Sequence, residues 1–165
     1  MTDMDGKKSG NMVTIRLAAE QDYDAVERIM KQVQKMHVDW RPDIYIEANP
    51  VLPYDRYLAH LEQQEMLVAD LDGEAVGLLI CLVRHICGGP IREREVLFVD
   101  SMAVEERFRG QGIGSKLFDA LLQMCRERGY DGLELQVNAR NQAARAMYEK
   151  YGFTEKSVNM EYKGL

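Results

Sequence analysis

Apolar and polar positions follow two periods along this chain, two residues and three to four, and the periods alternate from one stretch to the next. Met12-Val13-Thr14-Ile15-Arg16-Leu17 alternates with period two and predicts a first strand. From Ala19 to Met36 the spacing lengthens, and Ala25, Ile29, Val33 and Met36 form one stripe of a helix that Asp22 can cap. His37 to Pro53 carries neither period. Trp40-Arg41-Pro42-Asp43-Ile44-Tyr45 mixes aromatics, charge and proline, and Pro50 and Pro53 follow. That is a loop with large side chains, which either lines a binding surface or covers the core with a packed tryptophan. Tyr54 to Gln63 reads as a short helix with Tyr57, Leu58 and Leu61 inward.

Glu65 to Leu71 reads as a strand, and Asp72-Gly73 is a hairpin turn signal. Ala75 to Val83 is the most continuously apolar run, which predicts a central strand covered on both faces. Gly88-Gly89-Pro90 turns the chain into a further strand, Val96 to Val104. A helical stripe of Ile113, Leu117, Ala120, Leu121 and Met124 then runs to Arg128, with Gly129 as its C′ residue. Leu133 to Val137 is another strand. Asn141 caps a helix whose Ala144, Met147, Tyr148 and Tyr151 share a face and which Gly152 ends. Phe153 to Lys156 and Val158 to Tyr162 read as two closing strands. The order β-α-α-β-β-β-α-β-α-β-β implies an α/β architecture, a mixed sheet with helices on both faces. No repeat or linker divides residues 11–165, which read as one domain. Residues 1–10 are polar, lack an apolar signal core and read as a disordered tail.

The chemistry concentrates at Arg109-Gly110-Gln111-Gly112-Ile113-Gly114-Ser115, between a strand and a helix. The first turn of a helix has backbone N–H groups without intrahelical partners, at the positive end of the helix dipole. Glycines let the backbone approach an anion and take positive φ. The stretch therefore reads as a pyrophosphate cradle. It is not a P-loop, because Ser115 and Lys116 stand in the wrong order, and it falls one residue short of the dinucleotide fingerprint G-x-G-x-x-G. It resembles instead the acyl-CoA signature [QR]-x-x-G-x-[GA] of the GNAT superfamily of N-acetyltransferases, filled by Arg109, Gly112 and Gly114. The resemblance runs from about Glu93 to the C-terminus: Asn138, Asn141, Ala144, Tyr148 and Gly152-Phe153 fall where that superfamily places its closing helix and strand.

The resemblance implies a single-domain GNAT-like fold with a mostly antiparallel sheet. In it the Val96 and Leu133 strands start parallel and splay apart, and acetyl-CoA enters the gap as acyl donor. It implies a pantetheine arm held along Met102, Ala103 and Val104, with Asn141 and Asn138 as further hydrogen-bond partners. It also implies that Tyr148 stands beside the sulfur as the acid for the leaving thiolate. On the splayed strand end that the resemblance implies, the N–H groups around Met102 to Val104 can polarise an acyl carbonyl in the manner of an oxyanion hole, a role that side-chain identity does not signal. Asp100 is the lone carboxylate inside an apolar strand, so burial would raise its pKa and suit a base. Base, ammonium anchor and structural carboxylate all remain open for it. Asn141 is an N-cap in any case. Arg107, Arg109 and Lys116 bring positive charge to the glycine turn.

Composition narrows this picture little. Charged residues are 29% and apolar ones 46%, as in a globular chain, and the net charge of −6 disfavours nucleic-acid binding and suits cationic acceptors. Cys81, Cys87 and Cys125 form no C-x-x-C pair and read as reduced core thiols of a cytoplasmic protein. No apolar run approaches a membrane span, and no His, Cys or Asp spacing suggests a metal. His37, His60, His85 and Ser101 form no triad, so a covalent acyl-enzyme is not expected. The function that follows is transfer of an acetyl group to a primary amine by direct attack in a ternary complex. A small-molecule amine is the first expectation for the acceptor, and a protein N-terminus or lysine the second. The rivals are an acyl-CoA-binding sensor module with little catalysis and a nicotinamide-binding oxidoreductase. A homodimer is compatible with all of these.

Overall fold

Five strands lie in sequence order across one sheet: β1 (Thr14–Leu17), β2 (Met66–Leu71), β3 (Glu74–Ile86), β4 (Arg94–Val104) and β5 (Gly132–Leu135). The computed structural model describes residues 12–164, so the expected tail over 1–10 lies outside the described residues. The chain divides into two compact units, Met1–Leu135 and Gln136–Leu165. The first holds the whole sheet. Neighbours from β1 to β4 pair antiparallel, and β4 pairs β5 in parallel. At the β2–β3 turn Asp72 and Gly73 both have positive φ, 54° and 91°. That is the combination that matches the twist of a two-residue hairpin.

Alternation along β2 and β3 makes two core layers. Met66 stands opposite Ile80 and Val68 opposite Leu78. They pack with Val26 and Ile29 of α1 (Tyr23–Trp40) and Tyr57 of α2 (Tyr54–Glu62). Leu67 opposite Leu79 and Ala69 opposite Gly77 face the other way. There α3 (Ile113–Arg128) covers the sheet, through Ile113, Leu117, Phe118, Leu121 and Cys125. Gly77 allows the approach: a Cβ on it would lie 3.3 Å from both Ile113 Cγ2 and Leu117 Cδ1. The expected α/β architecture with helices on both faces is the one observed.

Several boundaries differ from the expectation. The first helix runs on to Trp40 rather than stopping at Met36. Aromatics do not end a helix. Pro42 does, by forcing Arg41 out of the helical region, to φ −143°. Asp22 occupies the N-cap position but makes no cap bond. Its carboxylate instead accepts from Arg16 Nη1 and Nη2, at 2.7 and 2.9 Å, and from the Ala19 N–H at 2.8 Å. Leu58 on α2 is 39% exposed rather than inward. Cys81 and Cys125 are buried free thiols, but Cys87 lies just beyond the end of β3 and is exposed. Among the described residues no helix is long and apolar enough to cross a membrane.

The second unit contains α4 (Gln142–Lys150). Asn141 caps it, its Oδ1 accepting from the Ala144 N–H at 3.1 Å, and Gly152 follows with φ 88°. The two closing strands expected over 153–156 and 158–162 are not formed among the described residues. The alternation is present, but it leaves Val158, Met160 and Tyr162 at 70, 92 and 79% exposure. A period of two supplies a face, whereas a strand also requires a partner edge for its backbone groups. No ladder forms along this segment.

Candidate active site

β4 changes character at Asp100. Val96, Leu97, Phe98 and Val99 are buried between two neighbours, β3 on one side and residues 132–135 of β5 on the other. The parallel pairing ends at Val99 opposite Leu135. On the β3 side Ile80 stands opposite Ser101 and Cys81 opposite Val99, so Asp100 is the extra residue of a β-bulge. It is exposed, and its Oδ2 accepts from Ser101 Oγ at 3.3 Å. The expectation that Asp100 is buried is therefore corrected: the bulge takes it out of the alternation and turns it to solvent.

Beyond the bulge, among the described residues, only β3 pairs with β4. The Glu105 N–H donates to the Val76 carbonyl at 2.9 Å. In an antiparallel ladder every second residue faces the same neighbour. Ala103 and Ser101 therefore direct their backbone groups at β3, while Met102 and Val104 direct theirs at the opposite edge, past the last rung of β5. Of the three positions expected to polarise a carbonyl, Met102 and Val104 have outward N–H groups. Ala103 has its N–H in the sheet.

From this edge the chain enters a 3-10 turn, Glu106–Phe108, and then the glycines. Arg109 Nε donates to the Val104 carbonyl at 3.0 Å, joining the loop to the strand end. Gly110 and Gly112 take φ 75° and 78°, and Gly112 is the N-cap of α3. The first ladder bond runs from Lys116 N to the Gly112 carbonyl, 3.1 Å, so the N–H groups of Ile113 and Gly114 precede the ladder. A Cβ built on Gly110 or Gly112 meets no heavy atom within 4 Å. The turn therefore offers helix-terminal donors with open space beside them, which fits a phosphate. Gln111 and Ser115 flank it and are exposed.

The nearby cations are not equivalent. Arg107 is tied to Glu105 at 2.9 Å and to Glu74 at 3.4 Å, so its charge is already compensated. Lys116 Nζ donates to the Val13 carbonyl at 3.3 Å. Arg28 of α1 joins the same cluster, 2.8 Å from Glu74 and 3.3 Å from Glu105. Sequence reasoning did not single out Glu105 or Arg28. They are 77 positions apart, so no local spacing signals them.

The other expected site residues belong to the second unit. Asn138 Oδ1 accepts from the Arg140 N–H at 2.9 Å, and its carbonyl accepts from the Asn141 N–H at 2.8 Å. Asn141 has its Oδ1 engaged in the cap. Tyr148 lies on α4 with its ring 5.8 Å from that of Phe153. Burial raises its phenol above the ordinary value, so the hydroxyl keeps its proton at neutral pH.

Residues 30–153 match the sequence profile of the Acetyltransferase (GNAT) family. An uncharacterized N-acetyltransferase of Archaeoglobus fulgidus is 30% identical over 134 residues, 81% of this chain and 88% of that protein. One from Methanocaldococcus jannaschii is 31% identical over 105 residues, 64% of this chain but only 46% of that longer protein, so the chain spans less than half of it. Among solved structures, a mutant protein from Bacillus halodurans superposes with TM-score 0.87 at 29% identity, covering 92% of this chain and 99% of that one. An aminoglycoside N-acetyltransferase in complex with CoA shares the fold at TM-score 0.69 and 20% identity, over 94% and 97% of the two chains. With the glycine turn, the parallel β4–β5 pair and a family match over most of its length, the chain belongs to the GNAT acetyltransferase family and is an acyltransferase.

Proposed function

We propose that the chain transfers an acetyl group from acetyl-CoA to a primary amine by direct attack in a ternary complex. The observation that carries this reading is the junction of the outward edge of β4 with the α3 N-terminus. Donors suited to an acyl oxygen at Met102 and Val104 stand a short turn away from donors suited to a pyrophosphate, from Gly110 to Ser115. One extended ligand with an acyl end and a diphosphate end satisfies both. In the reaction the amine nitrogen forms a bond to the acetyl carbon, and the carbon–sulfur bond breaks. A lysine-like ammonium, with a pKa of about 10.4, must lose its proton first. Asp100 receives that proton, directly or through water, or holds the ammonium before it is lost. Its exposure on the bulge leaves it accessible to an acceptor arriving from solvent. The thiolate, of pKa about 8.5 as a free thiol, takes a proton from Tyr148, which recovers one from solvent. Asn138 and Asn141 retain amide N–H groups for the CoA arm.

A small amine is the favoured acceptor, with a protein N-terminus or lysine second. The net charge of −6 favours a cationic acceptor of either kind. The test is release of CoA thiol from acetyl-CoA over a panel of polyamines, amino sugars, peptide N-termini and lysine peptides. Thiol release above the hydrolysis background with at least one amine is expected. Tight acetyl-CoA binding with no amine turned over would replace this reading by that of a sensor module.

A further inference from the structure

Glu105 is the residue between the last position of β4 and the turn that leads to the glycines, and it is 6% exposed. A carboxylate is rarely so buried unless it is paired. Its Oε1 lies 2.9 Å from Arg107 Nε, and its Oε2 lies 3.3 Å from Arg28 Nη2 and 3.4 Å from Arg107 Nη2. Its N–H closes the last rung to β3 at Val76, and its carbonyl accepts from the Phe108 N–H at 2.9 Å. The next residue is held as well: the Glu106 N–H donates to Gln32 Oε1 of α1 at 3.0 Å. The short turn Glu106–Phe108 is therefore fastened to α1 at two points and to itself at a third.

We propose that Glu105 is a positioning residue for the glycine cradle: it locks the turn between the outward edge of β4 and the α3 N-terminus, and so sets the distance between the acyl-binding and phosphate-binding donors. The proposal rests on the reading of that junction as the acetyl-CoA site. Only three turn residues separate Glu105 from Arg109, so a rotation there moves Gly110 and Gly112 relative to Met102 and Val104. Glu74 shares both arginines but is half exposed and sits on the hairpin rather than on this turn. Exposed ion pairs contribute little, whereas removing one partner of a buried pair leaves unpaired charge behind.

The charge balance makes the direction of the effect informative. Glu105 ties up Arg107, one of the three cations near the glycines, so that charge is compensated before an anion arrives. If Glu105 positions the turn, its loss weakens CoA binding. If it merely withholds Arg107 from the anion, its loss frees a cation and tightens binding.

The experiment is calorimetric titration of CoA into the wild type, Glu105→Gln and Glu74→Gln, with steady-state kinetics on the most active amine. Glu105→Gln should raise the CoA Kd by about tenfold or more, the low end of what outer-shell partners contribute at metal sites, with kcat at saturating acetyl-CoA within about threefold. Glu74→Gln should change the Kd by less than about twofold, as for an exposed pair. Unchanged or tighter CoA binding by a folded Glu105→Gln protein overturns the proposal. If that variant does not fold, Arg28→Met cuts one of the two fastenings to α1, from a half-exposed position. It should raise the Kd by about threefold, and an unchanged Kd would overturn the proposal equally. A wild type that binds no CoA fails earlier, at the assignment of the site itself.

Discussion

Gly77→Ala is the most stringent test of how α3 is seated. Gly77 lies on β3 opposite Ala69 on one side and Val104 on the other, directly beneath the first turn of α3. An added Cβ would stand 3.2 Å from the Ala103 carbonyl oxygen and 3.3 Å from both Ile113 Cγ2 and Leu117 Cδ1. None of the three yields easily. The carbonyl belongs to the β3–β4 ladder, and Ile113 and Leu117 are buried. α3 must therefore back away by a few tenths of an ångström. Overpacking of this kind costs about 1–3 kcal/mol, and replacing a strand glycine by alanine returns about 0.5–1 kcal/mol. The net loss is on the order of 1–2 kcal/mol, or a fall in Tm of about 2–8 °C for a chain of this size. Urea unfolding followed by the fluorescence of the single tryptophan, Trp40, measures the first quantity and calorimetry the second. CoA affinity should fall as well, because the displaced turn carries Ile113 and Gly114. A variant as stable as the wild type or more so would refute the reasoning: it would mean that α3 yields freely and that Gly77 is not what seats it.

Gly112→Val places a β-branched residue at φ 78°, costing about 1–2 kcal/mol, and should abolish the thermal stabilisation by acetyl-CoA; a normal shift would argue against the cradle. Tyr148→Phe should retain acetyl-CoA affinity and lose turnover by about 10²-fold. Because burial holds the phenol above its ordinary pKa, the wild-type-to-variant ratio should stay flat from roughly pH 6 to 9. A ratio near one would leave Tyr148 as a packing residue. Asp100→Asn should fold and bind acetyl-CoA, since the site is exposed. A loss of kcat partly recovered at high pH identifies a base, a higher acceptor KM alone identifies an ammonium anchor, and superimposable pH–rate profiles remove Asp100 from the mechanism.

What the sequence makes legible is what has a local cause. Asp72-Gly73 carries its own φ preference, and the hairpin stands where the dipeptide does. Gly112 and Gly129 bound α3 in left-handed conformations at the positions the glycines mark. The end of α1 was legible too, in Pro42, but the aromatic residues before it obscured the rule. What depends on a distant partner is not legible. Val158, Met160 and Tyr162 alternate as a strand does, yet alternation cannot say whether an edge will be available. The Glu105 lock joins α1 to a turn that comes three strands later in the sequence, and neither end carries a motif.

Asp100 falls between these cases. Its polarity in an apolar run is visible in the sequence, and burial is the natural reading of such a run. The register supplies another reading. The bulge lies one residue past the last β5 rung, at the point where β4 passes from two neighbours to one. An apolar residue there would be turned to solvent, so the side of β4 that pairs from Val96 to Val99 has no use for one at the next position. The extra residue also bends the strand and increases its twist. Past it, no described strand pairs with the outward edge at Met102 and Val104, and Arg109 takes the Val104 carbonyl. A single charged residue in the run thus marks the position where, among the described residues, β4 stops pairing with β5 and continues with β3 alone.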